Sequence, residues 1–129
     1  MDLSTVAQSL TDIDLSLYET GITDNSLKAL CQTLWSVKPN LESFALSIGK
    51  NKNITNSSFE WCLNNFAGIL KNLKKLTLGI EETKISQKGL GLLKCYLSEN
   101  PNILEKIEIE AGDDKSLYKI VKDLQSLLV

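Results

Sequence analysis

Short runs of strictly alternating apolar residues recur four times along the chain. They read Leu10-x-x-Ile13-x-Leu15-x-Leu17, Leu41-x-x-Phe44-x-Leu46-x-Ile48, Leu73-x-x-Leu76-x-Leu78-x-Ile80 and Leu104-x-x-Ile107-x-Ile109. Alternation over so few residues predicts a strand with one face buried. Between these runs the apolar spacing changes. Leu27, Leu30, Cys31 and Leu34, then Phe59, Cys62, Leu63 and Phe66, then Leu90, Leu93 and Leu97 follow the i, i+3, i+4, i+7 stripe of an amphipathic helix.

A linking motif joins each strand to its helix: Ile22-Thr23-Asp24-Asn25-Ser26-Leu27, Ile54-Thr55-Asn56-Ser57-Ser58-Phe59 and Ile85-Ser86-Gln87-Lys88-Gly89-Leu90, at offsets of 32 and 31 residues. Thr23, Thr55 and Ser86 stand where an N-cap hydroxyl accepts from the first free backbone amides. Asn40, Asn72, Pro39 and Pro101 precede the next strand, where the chain must leave the helix and turn. Strand, helix and strand in one sense predict parallel pairing through right-handed crossovers. A spacing of this size marks a repeat architecture, whose units bury their apolar faces only by stacking.

At a period of about 31 residues, the chain resembles the leucine-rich repeat family in its ribonuclease-inhibitor-like subtype. The L-x-x-L-x-L core stands as Leu41-Glu42-Ser43-Phe44-Ala45-Leu46 and as Leu73-Lys74-Lys75-Leu76-Thr77-Leu78. The resemblance covers residues 3 to 128. It implies an α/β solenoid with about four parallel strands on the concave side and helices on the convex side. Residues 1–129 then make one domain, with 1–11 as an N-terminal half-repeat and 112–129 as a C-terminal capping helix. The family usually carries Asn or Cys shortly after the third strand leucine. Here Tyr18, Gly49 and Glu81 follow Ser16, Ser47 and Gly79 by two residues without an Asn column, so looser turns are expected.

Composition narrows the class. A chain of 129 residues supports one core. With 43% hydrophobic and 23% charged residues it reads as neither disordered nor membrane-spanning. No apolar run approaches the ~20 residues of a transmembrane helix, so direct membrane insertion is not expected. Met1-Asp2-Leu3-Ser4 lacks the basic start of a signal peptide. The expectation is a cytoplasmic protein, with an organelle or cytoskeletal complex reached by an uncleaved signal as the alternative. All 14 basic residues are Lys, and neither Arg nor His occurs. The bidentate fork for phosphate and the side chain that titrates near neutrality are therefore missing. Net charge -2 and a pI near 5.2 argue against a nucleic-acid partner.

Candidate chemistry is sparse. Cys31 and Cys62 occupy apolar helix positions of successive units, Cys95 is out of register, and no C-x-x-C occurs. They read as small buried hydrophobes rather than a redox pair or a zinc site. The sequons at Asn53 and Asn56 read as loop and N-cap residues, and Lys71, Lys74 and Lys75 as a solvated loop. No nucleophile–His pair and no phosphate-binding glycine loop is present. Glu81-Glu82 and Asp113-Asp114 read as turn acids, the latter capping the helix that follows. No catalytic, cofactor or metal site is expected, and an enzyme is the least favoured reading.

What remains is surface. The outward strand residues form columns: Asp12, Ser43, Lys75, Lys106; Asp14, Ala45, Thr77, Glu108; Ser16, Ser47, Gly79, Glu110. Its middle is small and polar, which lets another backbone approach closely. Candidate partner-binding residues are Ser16, Tyr18, Ala45, Ser47, Thr77 and Gly79 on this side, with Tyr118 and Leu128 off the main stripe of the last helix. That stripe is Leu117, Ile120, Val121, Leu124 and Leu127. The expected role is a non-catalytic interaction module, an accessory or scaffold subunit bound to other protein chains in a multi-subunit complex. The alternative is a standalone regulatory adaptor holding a peptide or helix on the concave face.

Overall fold

The computed structural model describes residues 11–36, 41–66, 72–100 and 102–128. Strand β1 (Asp12–Ser16), helix α1 (Asp24–Ser36), β2 (Ser43–Ser47), α2 (Asn56–Phe66), β3 (Lys75–Gly79), α3 (Gln87–Glu99), β4 (Lys106–Glu110) and α4 (Tyr118–Ser126) follow one another, with a 3-10 turn, Lys115–Leu117, leading into α4. The fold is α/β. Four parallel strands make one sheet in the order β1-β2-β3-β4, as the alternating runs predict. Register sets Ile13 beside Phe44, Leu76 and Ile107, and Leu15 beside Leu46, Leu78 and Ile109. These side chains form one core with Leu27, Leu30, Leu63, Leu90 and Leu93 of the helices. The helical stripes therefore cover one face of the sheet. Among the described residues, no helix is long and apolar enough to cross a membrane.

Each strand leaves the sheet through a similar turn. Glu19, Lys50 and Glu82 take left-handed backbone conformations, with φ of 52, 54 and 55°, and Gly112 does so after β4 at 63°. A non-glycine residue there costs on the order of 1 kcal/mol, so something must hold the turn. The Thr20 hydroxyl donates to the Leu17 carbonyl at 2.7 Å, and that of Thr83 to the Ile80 carbonyl at 2.8 Å. At the corresponding place Asn51 donates to the carbonyls of Leu17, Ile48 and Gly49 at 2.8, 2.9 and 3.1 Å, and accepts from the Gly21 amide at 2.8 Å. The looser turns expected from the missing Asn column are not found. The polar column lies two residues further on, as Thr20, Asn51 and Thr83, and Asn51 ties two successive turns together.

The last helix corrects the sequence in one respect. Leu117 and Leu124 are buried, and Ile120 and Val121 half-buried. Leu127, assigned to the stripe, is 38% exposed, whereas Leu128, assigned to the side, packs on the core. At about 100° per residue, Leu128 follows Leu124 by four and Val121 by seven and returns to the buried axis. Leu127 falls on its flank. The Leu3–Leu10 segment, Lys71, Asn40 and both prolines lie outside the described residues.

Candidate interaction surface

The caps of the helices build a lateral ladder. Thr23, Thr55 and Ser86 accept from the amides of Ser26, Ser57 and Lys88 at 3.4, 3.2 and 3.3 Å, as N-caps should. The residue after each cap reaches the next unit. Asp24 accepts from the Thr55 amide at 2.8 Å and from its hydroxyl at 2.6 Å. Asn56 accepts from the Ser86 amide at 2.9 Å and donates to its hydroxyl at 2.7 Å. Gln87 continues the series by donating to the Ser116 carbonyl. Gly89 is buried because the Asn56 amide occupies the space a Cβ would need. In the sequence this ladder appears only as a polar residue after each cap, and it commits the sequon residues Thr55 and Asn56 to structural bonds.

Asp24 carries the one charge in the ladder. Burial raises its pKa, but the hydroxyls of Ser58 and Thr55, the Thr55 amide and the charge of Lys28 outweigh it. The net pKa lies below the ordinary value of 3.8. The buried Ser58 hydroxyl has a single proton and two acceptors within reach, this carboxylate and the Thr55 carbonyl. A depressed carboxylate stabilises the fold above its unfolded pKa, and that contribution disappears as pH falls through the folded value. Melting curves of wild type and Asp24→Asn should therefore separate near neutrality and converge as pH falls below 3.8. A separation that persists into stronger acid would place the effect elsewhere.

Across the open face of the sheet, Ser16 pairs with Ser47, then Gly79, then Glu110, while Ala45 and Thr77 stand between Asp14 and Glu108. Asp12, Asp14 and Ser16 on β1 are exposed; Ala45, Ser47 and Thr77 are half-buried, and Gly79 is buried. Ser47 and Thr77, expected to be solvent-exposed, are half-shielded because an interior strand has neighbours on both sides. Gly79 lies against Ser47, whose Oγ would sit 3.2 Å from an added Cβ. Charge stays at the margins. Lys106 bonds Glu108 at 2.7 Å and holds its carboxyl below the usual range.

Beyond the strand ends Tyr18, Gly49, Glu81 and Gly112 form a row in which large and absent side chains alternate. Tyr18 is 40% exposed, with the Lys50 ammonium 5.5 Å from its ring centroid. The Tyr18 hydroxyl, then Glu19 and Glu82, hold Lys50 charged above its ordinary pKa. The Glu81 carboxylate lies over Gly49, where any Cβ would collide with it. One of its oxygens is buried without a hydrogen-bond partner among the described residues. On its other side opens a groove of about 590 Å³ between the end of β4 and α4, lined by Glu81, Ile109, Tyr118, Val121 and Lys122. Tyr118 is 47% exposed there. Of the proposed contact residues, then, Tyr18 and Tyr118 are exposed at opposite margins, the strand residues form one continuous patch, and Leu128 belongs to the core.

Neither a protein-family model nor a curated protein sequence matches the chain.

Proposed function

We propose that the chain is a short leucine-rich-repeat solenoid that works as a non-catalytic interaction module, an accessory or scaffold subunit bound to other protein chains. The carrying observation is the open face of the sheet. Parallel sheets are normally covered on both faces, yet here described helices pack on only one. The uncovered face is a smooth strip of Ser, Ala, Thr and Gly with charges at its margins. Small residues at its centre admit the backbone of another chain, and the marginal charges set orientation rather than affinity. The aligned strand columns, the repeated turns and the cap ladder support the repeat family.

Partner binding should be abolished or weakened at least tenfold by Ser47→Lys or Thr77→Lys, with little change in melting temperature, because a half-buried position at a docking face leaves no room for a long charged side chain. Affinity purification of the native protein with each variant reads this directly. Recovery of the same partners in equal amounts would move the contact to another surface. The same purification separates an accessory subunit, which elutes in one stoichiometric complex, from an adaptor, which elutes mainly free.

A further inference from the structure

Cys31 of α1 and Cys62 of α2 lie one residue apart in the register of successive helices, Cys31 matching Leu63 and Cys62 matching Leu30, yet their sulfurs face each other across the helix–helix contact. The two Sγ atoms are 2.9 Å apart, closer than unbonded sulfurs normally approach, and both residues are half-buried thiols. They border an apolar cavity of about 120 Å³ that Leu34, Phe44, Phe59 and Leu63 help to line. That space lies beside the two sulfurs and gives room for rotation about the Cα–Cβ bonds towards disulfide geometry. We propose that Cys31 and Cys62 constitute a thiol–disulfide site, which low-molecular-weight disulfides such as oxidised glutathione convert to an inter-helix Cys31–Cys62 bond.

The order of events follows from the proton between the sulfurs. The Cys62 thiol donates to Cys31, which lowers the pKa of Cys31 and, with burial, raises that of Cys62. Cys31 is thus the attacking thiolate and Cys62 the resolving thiol. The Cys31 sulfur attacks one sulfur of oxidised glutathione, whose disulfide breaks and releases one glutathione thiolate. The Cys62 sulfur then attacks Cys31, displacing the second glutathione, which takes up the Cys62 proton. Two electrons leave the protein pair and reduce one glutathione disulfide to two thiols. The product joins α1 to α2 across β2 and clamps adjacent units. Cys95 is exposed and unpaired in register, so the same reagent stops there at a mixed disulfide. The inference rests on the sulfur geometry and not on the proposed partner binding.

Intact-mass and peptide-mass spectrometry of the folded full chain, treated with oxidised glutathione, tests it. All three thiols should disappear, Cys31 and Cys62 with loss of the mass of two hydrogens and Cys95 with gain of one glutathionyl group. A reducible cross-link should join the peptides holding Cys31 and Cys62, with glutathione retained only on Cys95. In Cys62→Ser, glutathione should remain trapped on Cys31. Retention of glutathione on Cys31 or Cys62 of the wild type, or survival of both thiols while Cys95 reacts, would overturn the proposal. The wild-type result stands even if the serine variant fails to fold.

Discussion

Replacing Asn51 with Ala is expected to lower stability by about 3 kcal/mol, since leaving a buried polar group unpaired costs roughly 1–3 kcal/mol. Asn51 is 1% exposed and bonds four backbone groups in two successive turns. The loss is not uniform over those groups. The Leu17 carbonyl keeps the Thr20 hydroxyl and the Gly49 carbonyl keeps the Glu19 amide. The cost therefore concentrates on the Gly21 amide, the Ile48 carbonyl and the left-handed Lys50 backbone that the turn no longer restrains. Asn51→Thr should recover part of it. Its hydroxyl can reach the Ile48 carbonyl as Thr20 and Thr83 reach theirs, but not the preceding turn. Urea unfolding measures both variants. A cost below about 1 kcal/mol for the Ala variant would mean that water replaces the side chain at this site.

Leu93→Ala should cost more, about 4 kcal/mol, towards the upper end of the roughly 2–5 kcal/mol typical of such truncations. Leu93 is 1% exposed and already borders the apolar cavity of about 120 Å³. Deleting its branched end joins the new space to the existing one, and walls that have not collapsed around the first void will not collapse around a larger one. For a domain whose total stability is of order 5–15 kcal/mol, this is a large fraction. Leu30→Ala, at a half-buried position of α1, is the control and should lose clearly less. Equal losses at the two positions would contradict this packing, in which Leu93 is buried and Leu30 half-buried.

Much of the fold was legible in single residues. The alternation Phe44-x-Leu46 and Leu76-x-Leu78 named both the strands and their buried sides, and the outward columns drawn from sequence are the registered rows of the sheet. Thr23, Thr55 and Ser86 were legible as caps because a capping hydroxyl acts within its own turn. The candidate face was legible in the same way, through the small residues between the buried ones. Leu127 and Leu128 were exchanged because a stripe counted in steps of three drifts off the buried axis by the last turn.

Strand and helix assignment, the buried side of each element and the caps follow from the sequence because they depend on the local periods of two and 3.6 residues. Contacts between neighbouring units do not. Asp24 meets Thr55, Asn56 meets Ser86, Asn51 closes on Leu17 and Gly21, and Cys31 faces Cys62 over separations of about thirty residues. Each of these pairs requires the lateral offset between adjacent strands and helices, a distance that no local period encodes. Only the stacked structure makes Asn51 a joint between two turns and turns two apolar-position cysteines into a pair.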